Sequence, residues 1–140
     1  MYIDPFVLTE GAPAAEPARR EIVLGRTSDG HFVVERFPAN VAFGVYLEVA
    51  FEEGETGDFD LRLVAEAVVP GYPRRLLFNT RLSMPPASAD WWAPRIRPLA
   101  FEAEVYAGGE FDAQLLVEID GEDEALAAKT ICIRAHPAAN

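Results

Sequence analysis

The chain has 140 residues, half of them hydrophobic and a quarter charged, which suits one domain able to bury roughly two-thirds of its unfolded surface without disulfide or metal support. Its 23 acidic and 12 basic residues give a net charge of −11, which repels nucleic-acid phosphates and anionic lipid and offers no basic stripe for counterion release. Cys132 is the only cysteine, so an intrachain disulfide is excluded and nothing points to an oxidising compartment.

The opening "MYIDPFVLTEGAP" carries no Lys or Arg ahead of its short apolar run, and Asp4 interrupts that run, so it does not read as a signal peptide. No apolar stretch approaches the ~20 residues of a membrane span. The expected setting is the cytoplasm, without a membrane partner.

The first candidate strand is "YIDPFVLT". Residues 10–18 follow as a Pro/Ala-rich loop, because Pro13 and Pro17 each remove an amide donor and restrict the residue before them. "REIVLGRT" and "HFVVERF" are short runs rich in β-branched and aromatic residues, separated by the turn "SDGH". The next signal is much stronger. In "VAFGVYLEVAF", Phe43, Val45, Leu47, Val49 and Phe51 share one face by the period of two, opposite Ala42, Gly44, Tyr46, Glu48 and Ala50.

The acidic turn "EEGETGD" leads to "DFDLRLVAEA", with Phe59, Leu61, Leu63, Ala65 and Ala67 inward and Asp60, Arg62, Val64 and Glu66 outward. "PGYP" then leads to the weaker strand "RRLLFNTRL". Residues 83–98, "SMPPASADWWAPRIRP", read as a long Pro/Trp loop. Beyond it, "PLAFEAEVYA" and "EFDAQLLVEID" alternate clearly, and "YAGGEF" between them predicts a hairpin. "GEDEALAAK" could make one or two helical turns capped by Asp123. "AAKTICIRAH" is a last short strand, and 135–140 a flexible tail.

About eight or nine strands, polar on one face, apolar on the other and without intervening helices, predict an all-β fold: a single-domain, antiparallel two-sheet β-sandwich with little or no helix. On "IVLG" at 22–25, "VAFGVYLEV" at 41–49, "EEGETGDFDLRLV" at 52–64 and "GEFDAQLLVEIDGED" at 109–123, the chain resembles a family of short bacterial proteins catalogued as a domain of unknown function. The resemblance covers roughly residues 2–134. It implies a β-sandwich and carries no catalytic residues.

Chemistry-bearing patterns are sparse. Neither His31 nor His136 sits in a nucleophile–base constellation, and there is no G-x-S-x-G or phosphate-binding glycine loop. One cysteine and two histidines do not make a structural zinc site. Glu102 and Glu104, two apart on a strand, stand roughly 7 Å from each other, as any outward pair of acids would. The acidic stretches 52–60 and 118–124 match no EF-hand spacing and serve as solvated turns, with a shared calcium site worth testing if the two lie at one end. No cofactor or metal is expected, and no enzyme.

One clustering stands out. Arg74, Arg75, Arg81, Arg95 and Arg97 fall within 26 residues of an otherwise acidic chain, together with Tyr72, Trp91 and Trp92, and Asp90 is the only acid there. Arg, Trp and Tyr are enriched at interface hot spots. Tyr72, Arg74, Asp90, Trp91, Trp92, Arg95 and Arg97 are therefore the expected binding residues of a non-catalytic module, for a protein partner or self-association. The alternative is a carbohydrate or other small ligand stacked on Trp91 or Trp92. Adjacent residues of an extended chain point to opposite sides, so one tryptophan is expected to cap the core and the other to lie at the surface.

Overall fold

Each of the four long alternating runs becomes a strand whose apolar side turns into one common core. The computed structural model describes residues 1–10, 30–52, 54–67, 74–84 and 95–135. The strands are β1 (Tyr2–Glu10), β2 (Gly30–Val34), β3 (Ala39–Phe51), β4 (Gly57–Ala67), β5 (Arg75–Met84), β6 (Arg95–Ala107), β7 (Phe111–Ile119) and β8 (Ala127–Ala135). There is no helix among the described residues, and so none long and apolar enough to cross a membrane. "REIVLGRT", most of the 10–18 loop and nearly all of the 135–140 tail lie outside the described residues.

The strands form a three-stranded sheet in the order β1-β3-β6 and a five-stranded sheet in the order β2-β8-β7-β4-β5. One apolar cluster draws on both. From the first sheet come Phe43, Val45, Leu47, Val49, Phe51 and Phe101, and from the second Leu61, Leu63, Leu115, Val117, Ile131 and Ile133. Phe32 of β2 tilts against Phe43 of β3 with ring centroids 5.3 Å apart, so an aromatic pair spans the two sheets.

Four sequence expectations change. The pairing is not wholly antiparallel: β2 runs parallel to β8, from Gly30 opposite Ile131 to Val34 opposite Ala135. "YAGGEF" is not a hairpin, because β6 and β7 belong to different sheets and the two glycines carry the chain across. Neither Gly108 nor Gly109 takes the positive φ that a type I′ turn demands, whereas Gly121 in "DGEDE" does, at 91°. In keeping with the expectation of little or no helix, "GEDEALAAK" forms none. Its Leu126 amide donates to the Val117 carbonyl at 2.8 Å, and Ala127 already pairs with Val117, so strand pairing with β7 wins over local helix propensity.

The expected loop 83–98 is shorter than its prolines suggest. β5 continues to Met84 and β6 starts at Arg95, with Pro98 inside it opposite Glu48. β6 is an edge strand, where a missing amide leaves the ladder to β3 intact. Pro5 is tolerated the same way in edge strand β1, where the register shifts between Ile3 and Phe6.

Alternation also fails at Val64, expected to point outward, yet only 5% exposed. The β4–β5 register slips there: Leu63 faces Phe78 and Val64 faces Leu76, leaving Leu77 as the extra residue of a bulge in β5. Val64→Thr, harmless on a solvated face, is therefore expected to cost about 1 kcal/mol in urea unfolding, because the hydroxyl loses water without a partner. A cost within about ±0.5 kcal/mol, the usual range of a neutral surface change, would show that Val64 is effectively solvated.

Candidate functional site

Of the expected binding residues, Tyr72, Asp90, Trp91 and Trp92 lie outside the described residues. The other three, Arg74, Arg95 and Arg97, are placed, and they do not share a patch.

Arg74, just before β5, belongs to an ion-pair ladder across the outer face of the five-stranded sheet. The ladder follows from strand register: Arg62 stands opposite Glu118, Asp60 opposite Arg81 and Asp58 opposite Ser83. Arg62 Nε donates to Glu118 Oε1 at 2.9 Å, and Arg74 Nη2 donates to Glu118 Oε2. Arg74 Nε lies 3.3 Å from Glu66, Arg81 Nε donates to Asp60 at 3.1 Å, and the Ser83 hydroxyl donates to Asp58 at 2.7 Å. Burial alone would push the Glu118 carboxyl up, but the hydrogen bonds and charges of Arg62 and Arg74 outweigh it and hold it below the ordinary glutamate range. A carboxylate so held is a structural anion and a poor proton donor near neutral pH.

The other end of the same face is closed in a similar way. Arg134 Nη2 donates to both carboxylate oxygens of Asp112, at 2.9 and 3.0 Å. Cys132, opposite Asp112 in register, is half-buried, and burial together with its hydrogen bond to Asp112 raises its thiol pKa. Such a thiol carries little thiolate and is a weak nucleophile.

Arg95 and Arg97 stand opposite the buried Phe51 and Val49 at the start of β6. Arg97 Nη2 donates to the Ser83 carbonyl at 2.9 Å, linking the edge of one sheet to the edge of the other. Arg95 is likewise engaged. Ser83 and Arg74 are nine residues apart on extended chain, roughly 30 Å at ~3.3 Å per residue. The arginines close in sequence therefore divide into two groups at opposite ends of β5.

The two acidic turns do meet at one end: the Asp120 amide donates to the Asp60 carbonyl at 2.9 Å. Asp60 is engaged by Arg81 and Glu118 by two arginines, and among the described residues no three His, Cys, Asp or Glu side chains converge to hold an ion. His31 is an exposed residue of edge strand β2. His136 lies outside the described residues.

The feature that the sequence reading misses is a cleft between the edges of β5 and β6. The seam is shut at Phe78 and Phe101, whose rings stack at 3.8 Å and 6°, and again at Ser83 and Arg97. Beyond Phe78 it opens into a cavity of about 520 Å³ lined by Leu76, Leu77, Glu104, Val105, Tyr106 and Phe111, among others. The Leu77 bulge sits at this opening, and bulged strands bend away from the plain pleat. Leu76 and Tyr106, 57% and 51% exposed, leave apolar surface to solvent there. The Leu76–Leu77 doublet, which breaks the period of two, is the one local signal that points here.

No protein-family model and no curated protein matches the sequence. Among solved structures, the chain is similar to a β-glucosidase from Listeria innocua in complex with gluconolactone, at 8% identity and a TM-score of 0.52, over 93% of this chain and 16% of that one. A β-glucosidase from Kluyveromyces marxianus in complex with glucose follows at 10% identity and a TM-score of 0.44, over 93% of this chain and 14% of that one. The chain thus spans about a sixth of the enzymes it is similar to. The first likeness is one of fold alone, and the second carries no weight.

Proposed function

We propose that the two sheets form a β-sandwich that serves as a non-catalytic binding module in the cytoplasm, and that it takes a segment of another protein in the cleft between β5 and β6. The observation that carries this reading is the cleft itself. Its volume of about 520 Å³ lies in the usual range of binding sites, and Leu76 and Tyr106 present apolar surface that a partner would cover. Each arginine of the outer ladder already pairs with a carboxylate, so these guanidinium groups are not held open for an anionic ligand. Trp91, Trp92 and Arg95 remain a second candidate surface from the sequence.

A peptide-display selection against the whole protein, repeated on the Leu76→Asp/Tyr106→Ala variant, tests the cleft. Both side chains are largely exposed, so the variant is expected to keep its melting temperature. Clones held by the wild type and lost from the variant are the expected result; equal retention on both overturns the reading. A Trp92→Ala/Arg95→Ala variant run alongside reports on the second surface. Sugars that shift tryptophan emission while displayed peptides fail would favour carbohydrate binding instead.

A further inference from the structure

We infer that the edge of β6 from Glu102 to Tyr106 captures an extended, basic peptide segment by strand addition, an inference that rests on the cleft reading above and names its occupant. β6 pairs only with β3, and β5 only with β4, so the two strand edges that border the cleft carry backbone donors and acceptors with no strand partner among the described residues. A second hollow of about 350 Å³, lined by Leu76, Leu77, Glu102, Ala103 and Glu104, adjoins the first and shares Leu76, Leu77 and Glu104 with it. Together they make a trough along five residues of β6, roughly 17 Å of extended chain. That is the length of an ordinary short strand.

The side chains along the trough fix the chemistry of what would lie there. On β6, Glu102, Glu104 and Tyr106 face outward, while Ala103 and Val105 are buried on the core side. A strand added beside β6 would place every second side chain level with Glu102 and Glu104, and the residues between them toward Val105 and Leu77. Glu110 adds a third acid at the rim, against one base, Arg75. Lysine or arginine alternating with small apolar residues is the complementary pattern. The net charge of −11 also speeds the arrival of cationic segments.

A second copy of the chain is the poorer occupant. Pairing of two β6 edges would bring Glu102 and Glu104 of each chain against the same acids of the other, and like charges opposite one another in a ladder are destabilising. The two glutamates thus block self-pairing and select a partner of opposite charge. Main-chain hydrogen bonds would supply affinity and the alternate side chains specificity, as in other cases of β-strand addition.

The test is a fluorescence-polarisation titration of the whole protein with a short capped peptide alternating lysine and valine. Its controls are a glutamate–valine counterpart and two isomers N-methylated on one or the other backbone edge. The lysine peptide is expected to bind, the glutamate peptide not, and Glu102→Lys/Glu104→Lys is expected to weaken binding by about tenfold or more. One N-methylated isomer is expected to lose binding and the other to keep it, since only one edge of the peptide would meet β6.

If both isomers bind like the parent, strand addition is wrong, although sensitivity to Leu76→Asp/Tyr106→Ala would leave the cleft reading standing. If lysine and glutamate peptides bind alike, the basic preference is wrong. Absence of binding at about 1 mM, the weak end of specific association, overturns the inference, while the display selection still decides the cleft by itself.

Discussion

Phe43→Ala is expected to lower the unfolding free energy by about 3–5 kcal/mol, and the melting temperature by roughly 10–20 °C for a domain of this size. Phe43 is fully buried in β3, the middle strand of its sheet, and its ring meets Phe32 across the core. The substitution removes apolar area and leaves a cavity that neighbours on two sheets cannot both collapse into. Urea unfolding of Phe43→Ala, Phe32→Ala and the double variant would separate the cavity from the ring–ring term, whose expected coupling is about 0.5–1.5 kcal/mol. A loss below about 1.5 kcal/mol, the level of a mild core trim, would mean that the site relaxes and that the aromatic bridge does not hold the sheets together.

The second large effect is electrostatic and depends on pH. Glu118→Gln keeps the shape of the side chain but removes the charge that two guanidinium groups share, at an expected cost of about 2 kcal/mol at pH 7. Full charge-assisted values would give more, but Arg62 and Arg74 are both more than a third exposed and water screens them. The folded pKa of Glu118 lies below that of the unfolded chain, so its contribution is present above about pH 4.3, the ordinary glutamate value. It fades as the pH falls through the folded value. Wild type and variant should therefore differ most near neutrality and converge in acid. A gap that stays constant from pH 7 down to about pH 2, below the usual carboxylate range, would assign the cost to packing and not to ionisation.

The long strands were legible because a strand with one buried face must repeat every two residues, and β4, β6 and β7 do so over most of their length. β3 was legible too, although as a middle strand it buries more than its inward set: Tyr46 and Ala50 are also buried. Partnership was not legible. Nothing in "HFVV" states that it will pair parallel with "ICIR", because ladder partners are chosen by the whole topology and not by a local pattern. Glycine in "YAGGEF" signalled a turn correctly, but a hairpin and a crossing between sheets use the same residue types.

The site was less legible than the fold for a similar reason. The arginine cluster was a neighbourhood in sequence, and extended β5 carries Arg74 away from the end where Arg97 is anchored. The cleft joins Leu76 to Tyr106, thirty residues on in the sequence. Glu102 and Glu104 looked like any solvated pair, and only the edge position of β6 gives them a neighbour to select.

The order in which the strands are shared out has a kinetic consequence. The chain visits the three-stranded sheet with β1, leaves it for β2, returns with β3, and returns again only with β6. Neither sheet is built from an unbroken run of consecutive strands. Neither can form as an autonomous folding unit, and the parallel partner of β2 is β8, the last strand among the described residues. Loop closure over such separations must precede most of the stabilising contacts, which places the chain among slow, high-contact-order folders. During synthesis the apolar face of β3 emerges well before β6 can cover its edge, so this segment is the one most dependent on protection from aggregation until the chain behind it arrives.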